Sequence, residues 1–226
     1  MSLILSIDTS IENAFVCISQ NGVLIDSISN NIQKEHAGFL HRAIKELTER
    51  LKIDLKNLSA VAVTAGPGSY TGIRVGLSTA KGICYALNKP LICINTLELL
   101  ATEAHNHSEK NQLNLELFCP MIDARRMEVF TALYDDNLNQ LEPPSAKIVD
   151  ANYLSEKLNS KKICFIGNGS DKLKNIINNQ NAYFFRPNTL EMTITALAQQ
   201  KFDISNFTDI SHCLPIYVKE HQSFTL

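Results

Sequence analysis

The feature that most constrains what this chain can fold into is an internal echo. Ser6-Ile7-Asp8-Thr9-Ser10-Ile11-Glu12-Asn13-Ala14-Phe15-Val16-Cys17-Ile18 lines up without a gap on Met121-Ile122-Asp123-Ala124-Arg125-Arg126-Met127-Glu128-Val129-Phe130-Thr131-Ala132-Leu133. Each copy reads as an apolar run, an Asp-containing tight turn and a second apolar run. Another echo follows in the same order, with Gly66-Pro67-Gly68-Ser69 matching Gly167-Asn168-Gly169-Ser170. Each of these ends an apolar strand and precedes a helix candidate. Two matches in one order predict a duplicated βββαβα unit. The second copy is expected to be eroded, because Asn178-Asn179-Gln180-Asn181 interrupts its helix and Leu141-Glu142-Pro143-Pro144 breaks its third strand.

The first copy can be followed residue by residue. Residues 3–7, 14–19 and 23–29 read as short strands, and Asn21-Gly22 signals a hairpin because both residues tolerate positive φ. Residues 36–51 switch to helical spacing, with Phe39, Leu40, Ala43, Ile44, Leu47 and Leu51 on one face. The β-branched run at 60–65 predicts a strand buried between layers, followed by a glycine-rich turn and a helix over 71–87. Pro90 stops that helix, 91–94 is a further strand, and 96 to about 105 a further helix. Such alternation predicts a parallel sheet covered by helices. The polar stretch 102–114 has no clear pattern and is taken as the boundary between an N-terminal lobe, 1–105, and a reduced C-terminal lobe, 115–226.

Composition narrows the function classes. A formal net charge of −2 argues against autonomous nucleic-acid binding, which needs a positive footprint to release phosphate counterions. Arg125-Arg126 and Lys161-Lys162 read as solvated surface pairs. The 6 cysteines never form C-x-x-C and sit mostly in apolar runs, which predicts reduced thiols packed as small hydrophobes rather than a disulfide frame or zinc site. No signal peptide is visible, and no apolar stretch approaches the roughly 18 residues that span a bilayer, so the expected location is cytoplasmic with no membrane partner.

Two segments bear on chemistry. The turn Asp8-Thr9-Ser10 can offer backbone N–H groups and two hydroxyls to a phosphate, and Asp123 and Arg125 stand in the matching turn of the second copy. Facing turns of this kind are the layout used for ATP by the actin, Hsp70 and sugar-kinase superfamily. The bland alternative is that each Asp only caps its turn. The segment Gly66 to Gly72 fails both common phosphate templates: Ile73 stands where a Walker loop needs Lys, and Thr71 where a Rossmann turn needs Gly. What remains is a strand-to-helix turn whose Ser69 or Thr71 caps the helix. Gly72, Gly76 and Ala80 then form a small-residue stripe, used either inside the fold or by a partner, with Arg74, Ser78, Lys81 and Tyr85 on a polar flank. Three glycines cost about 1 kcal/mol each in helix propensity, so tight packing must compensate. His36 and His41 point apart on their helix and cannot chelate together, and His105 and His107 read as solvated. None of these residues is expected to be catalytic or to ligate a metal.

Three stretches identify a family. Residues 4–10, residues 62–82 with the core Gly66-Pro67-Gly68-Ser69-Tyr70-Thr71-Gly72-Ile73-Arg74, and residues 123–130 closely resemble the bacterial TsaB (YeaZ) family, with weaker similarity at Gly167-Asn168-Gly169 and residues 215–219. The resemblance implies an α/β, duplicated actin-like ATPase fold (ribonuclease H-like) of two lobes, the second reduced. It also implies a non-catalytic subunit of the TsaB–TsaD–TsaE complex that forms N6-threonylcarbamoyladenosine at position 37 of ANN-decoding tRNAs. The implied partners are a TsaD-like transferase and a TsaE-like ATPase, with tRNA met only through the complex. TsaD carries an H-x-x-x-H metal pair that this chain lacks, so the glycopeptidase-like metallopeptidase label attached to the family is not expected to apply. An ATP-dependent phosphotransferase of the same superfamily is the other alternative. The docking face implied by the family maps to His36, Phe39, Leu40, Gly72, Arg74, Val75, Gly76, Thr79, Ala80 and Ile83. No resident cofactor is expected, ATP or ADP at a subunit junction being the alternative, and the candidate nucleotide-binding residues are Asp8, Thr9, Ser10, Asp123 and Arg125. The run His36-Ala37-Gly38-Phe39-Leu40-His41 departs from the apolar stretch usual in the family after that histidine. Left without its partner, such a docking helix is expected to self-associate as a homodimer.

Overall fold

The computed structural model describes residues 1–31 and 36–218. Elements run along the chain as β1 (Leu3–Asp8), β2 (Ala14–Gln20), β3 (Val23–Asn30), α1 (His36–Leu51), β4 (Ala60–Gly66), α2 (Tyr70–Leu87), β5 (Leu91–Asn95) and α3 (Thr96–Asn111). They continue as β6 (Leu117–Asp123), β7 (Glu128–Asp135), β8 (Gln140–Ile148), α4 (Ser155–Leu158), β9 (Ile163–Ile166), α5 (Asp171–Lys174), β10 (Ala182–Phe185) and α6 (Glu191–Asp203). Two sheets result, ordered β3-β2-β1-β4-β5 and β8-β7-β6-β9-β10. In each, three antiparallel strands are followed by two parallel ones. The repeat of one strand order is the duplication that the echo predicted, and it is the ribonuclease H-like unit of actin-like folds.

In the first sheet, Asn21 and Gly22 adopt φ of 50° and 76°, the left-handed pair that a tight hairpin demands. Every residue of β4 is buried, as its central position requires. The face of α1 formed by Phe39, Leu40, Ala43, Ile44 and Leu47 packs into one core with Leu5, Ile7, Val16, Ile18, Val61 and Val63. α2 adds Leu77, Ala80 and Cys84 to the same core. Each large side chain so buried contributes about 1.5–3 kcal/mol relative to exposure. The second sheet has its own core, built on Leu117, Met121, Val129, Leu133, Phe165 and Leu173.

Two expectations need correcting. β8 is not broken by Pro143-Pro144. It is an edge strand, and the register passes from Leu133↔Glu142 to Thr131↔Ser145, so the prolines sit in a bulge where no ladder N–H is needed. α3 does not end near residue 105 but runs to Asn111. Its buried positions Leu97, Leu100, Ala101, Ala104 and Ser108 keep helical spacing, but the last is a serine and carries no hydropathy signal. By its contacts the chain forms two units. Asn188–Pro215 groups with Met1–Leu99, while Leu100–Pro187 belongs to the other unit. The reason is α6: Ile194, Leu197 and Ala198 are buried in its contacts with the first sheet, and Ser2 Oγ donates to Gln199 Oε1 at 2.6 Å.

Candidate functional site

The turn after β1 is held from all sides. Asp8, Thr9 and Ser10 are fully buried. Asp8 Oδ1 accepts from Ser10 N at 2.8 Å, from Ser10 Oγ at 2.7 Å and from Thr64 Oγ1 at 2.7 Å. The loop between β4 and α2 closes over this turn: Ser69 N donates to Ser10 O at 2.7 Å, and Thr9 Oγ1 donates to Gly72 O at 2.7 Å. Glycine is required at the contacts. A Cβ on Gly68 would lie 2.2 Å from Ser10 O, one on Gly72 would lie 1.9 Å from Thr9 O, and one on Gly76 would lie 2.4 Å from Thr9 Oγ1. Ser69 caps α2, its Oγ accepting from Gly72 N at 3.3 Å. The Thr9 and Ser10 hydroxyls are both engaged within the chain itself.

The second copy repeats the clasp with a weaker cover. Gly169 lies against the end of β6, where a Cβ would meet Met121 C and Ile122 C at 2.9 Å, and Asp123 N donates to Asn168 Oδ1 at 2.9 Å. The helix that follows, α5, has 4 residues where α2 has 18, so Asp123 stays exposed. Asp123 Oδ1 accepts from Arg125 N at 2.6 Å and from Lys172 Nζ at 2.5 Å. Partial burial would raise the Asp123 carboxyl, but the Lys172 ammonium and the Arg125 N–H outweigh it and hold the group below its usual value. Arg125 and Arg126 occupy the hairpin tip with φ of 71° and 49°, their side chains exposed.

The residues implied for docking separate into two groups. Phe39, Leu40, Gly72, Gly76 and Ala80 are buried in the fold, whereas Arg74 is exposed and Val75, Thr79 and Ile83 are half-buried. Arg74 lies over the Tyr70 ring, 3.8 Å from its centroid. His36 belongs to α1, but its side chain falls outside the described residues. Between α1 and α2 runs an open groove of about 610 Å³, lined by His41, Ile44, Lys45, Thr48, Leu55, Ser78, Thr79, Gly82 and Ile83. The residue that sequence reasoning undervalued is Gly82. A Cβ there would meet nothing within 4 Å. Its signal was present in the sequence: it is the third glycine of the helix and falls outside the stripe of spacing four.

His105 and His107 are not in a solvated loop. Both belong to α3, His107 stacking on Phe185 at 3.8 Å and sharing a hydrogen bond with Tyr183 OH at 3.0 Å, His105 meeting Phe118 edge-on. The 6 cysteines are free thiols, buried except for the partly exposed Cys93. Among the described residues, no group of three or more His, Cys, Asp or Glu is placed to hold a metal ion. Nor is any described helix long and apolar enough to cross a membrane.

Comparison with known proteins adds the family. The tRNA threonylcarbamoyladenosine biosynthesis protein TsaB of Buchnera aphidicola subsp. Schizaphis graminum is 31% identical over 176 residues, covering 76% of this chain and 81% of that protein. The chain belongs to the TsaB family. The TsaB of Bacillus subtilis is 29% identical over 177 residues, covering 77% of this chain and 74% of its own length. A family model, TsaD: tRNA N6-adenosine threonylcarbamoyltransferase, matches residues 23–210. The TsaB fold is also seen in a Pseudomonas aeruginosa protein described as similar to peptidase YEAZ, at a TM-score of 0.82 and 21% identity, with 97% of this chain and 100% of that one covered.

Proposed function

We propose that this TsaB-family chain is a non-catalytic subunit of the machinery that forms N6-threonylcarbamoyladenosine at position 37 of ANN-decoding tRNAs. In this reading it docks a TsaD-like transferase through the groove between α1 and α2. The observation that carries it is Gly82. The other two glycines of α2 are consumed by the contact with Thr9, but Gly82 opens onto the groove and packs against nothing in the chain itself. A helix that gives up about 1 kcal/mol of propensity there, beside the apolar Ile44, Leu55 and Ile83, is suited to the close approach of another backbone. The buried Asp8 turn, with its Thr9 and Ser10 hydroxyls engaged within the chain, supports a structural role for that turn, and the reading assigns the chain no nucleotide of its own. A TsaE-like ATPase and tRNA would be met through the assembled complex, and the free chain would cover the groove by pairing with a second copy.

The test is co-purification with a TsaD-like protein, paired with a tRNA modification assay reconstituted with and without this chain. Wild type and Gly82→Ala should bind, and Gly82→Arg should lose binding at least tenfold while melting normally. Undiminished binding by a folded Gly82→Arg would sink the groove assignment. A reconstituted reaction that runs equally well without the chain would sink the function.

A further inference from the structure

Two thiols outside the groove lie close together. Cys93 is on β5, and Cys213 follows α6 by ten residues in a strap with no regular structure of its own. Their Sγ atoms are 3.0 Å apart, although 120 residues separate them in the chain. The strap is registered on the sheet edge. Thr208 N donates to Leu91 O at 2.8 Å, Cys93 N donates to Thr208 Oγ1 at 3.3 Å, and Leu91 and Thr208 form an antiparallel bridge. At its far end Cys213 N donates to Asp209 O at 2.9 Å, and Lys81 Nζ of α2 donates to Cys213 O at 3.0 Å. Backbone contacts therefore hold both cysteines in place independently of their sulfurs. A disulfide needs the sulfurs to approach to about 2.05 Å, a movement of roughly 1 Å from this arrangement.

We propose that Cys93 and Cys213 are an oxidative modification site, a clasp that a peroxide closes into a disulfide pinning the strap after α6 to β5. Cys93 is the partly exposed member and Cys213 the buried one, so the oxidant reaches Cys93 first. Its sulfur attacks one peroxide oxygen, the O–O bond breaks, and a sulfenic acid and water result. The Cys213 sulfur then attacks the sulfenic sulfur, the S–O bond breaks, and the departing hydroxide takes the Cys213 proton to leave as a second water. Two thiols lose two electrons and two protons, and hydrogen peroxide is reduced to two waters. Burial, with Cys213 beside it, pushes the Cys93 thiol up to about 12, so little of it is thiolate at neutral pH and the clasp closes slowly, under sustained rather than brief exposure to peroxide. The disulfide would close a loop of about 120 residues and restrict the unfolded chain accordingly.

The experiment treats the full chain with hydrogen peroxide, quenches free thiols and maps disulfides in non-reducing digests, with melting followed in parallel. The expected result is a Cys93–Cys213 cross-linked peptide and a Tm raised by roughly 5–10 °C, both reversed by dithiothreitol. Cys213→Ala should abolish both changes, and the comparison of oxidised with reduced wild type stands even if that variant folds poorly. Absence of the peptide while thiols are consumed, a disulfide joining Cys93 to Cys84 instead, or a linked peptide with an unmoved Tm would each overturn the proposal.

Discussion

Gly72 and Thr9 touch backbone to backbone: a Cβ on Gly72 would lie 1.9 Å from the Thr9 carbonyl oxygen, and the Thr9 hydroxyl donates back to the Gly72 carbonyl at 2.7 Å. That contact locks the start of α2 onto the turn after β1. It explains why a glycine-rich segment that fails both common phosphate templates is nevertheless so restricted. Its glycines admit the chain's own turn where a phosphate-binding loop would admit a ligand.

Substitution should therefore separate the three helix glycines. Gly72→Ala forces the Thr9 backbone away and should cost about 3 kcal/mol or more, or abolish folding, by the overpacking seen when rigid backbone opposes an added group. Gly82→Ala meets open space and should be neutral or stabilise by about 0.5–1 kcal/mol through helix propensity. Urea denaturation of both variants checks this, and equal costs at the two positions would contradict it.

The Asp123–Lys172 pair gives the acid limb of the stability profile a direction. The folded carboxyl is held below its unfolded value, so the unfolded chain binds the proton more readily as pH drops. Its contribution is complete above the unfolded carboxylate value, near 3.9, and is lost as pH falls through the depressed folded value. Asp123 is about half exposed, at 44%, so the effect is worth no more than about 1 kcal/mol. Lys172→Met should flatten the loss of stability between pH 5 and pH 3, measured by urea denaturation across that range; an unchanged slope would show the pair to be inert.

Buried thiols give the alkaline limb the opposite sign. Burial pushes Cys84 up to about 11 and Cys93 and Cys119 to about 12, with Cys17 and Cys164 raised further. Each contribution is present below the unfolded thiol value and lost as pH rises from there toward the folded one, so stability should decline above about pH 9. In the native chain at pH 8, iodoacetamide should modify Cys84, Cys93 and Cys119 at least about a hundredfold more slowly than free cysteine. All 6 cysteines should react once the chain is unfolded in urea. Rapid native labelling, followed by peptide mass spectrometry, would contradict these burial assignments.

Much of the architecture is legible from local pattern. The echo of Asp8 in Asp123 and of Gly66 in Gly167 anticipates two sheets of one strand order, because strand, turn and strand are set by alternation of apolar residues and by short-range turn chemistry. The α1 face from Phe39 to Leu47 follows from periodicity alone. Pro143-Pro144 reads as a break because sequence does not show that β8 lies at an edge, where a bulge tolerates proline. The end of α3 is not legible in the sequence because a helix turn buried through Ser108 has no apolar mark.

What the sequence determined by itself is the repeated unit, the restriction to glycine at the loop before α2, and the family. What the tertiary structure alone decided is which glycine serves which neighbour. Gly72 and Gly76 share a stripe that a sequence can assign equally to the interior or to a partner, since spacing defines a face of a helix but not what lies opposite it. Only the fold brings Thr9 against that stripe, leaves Gly82 open to the groove, and sets Cys213 beside Cys93 across 120 residues of chain. These are long-range approaches, governed by how elements pack, and no local preference encodes them.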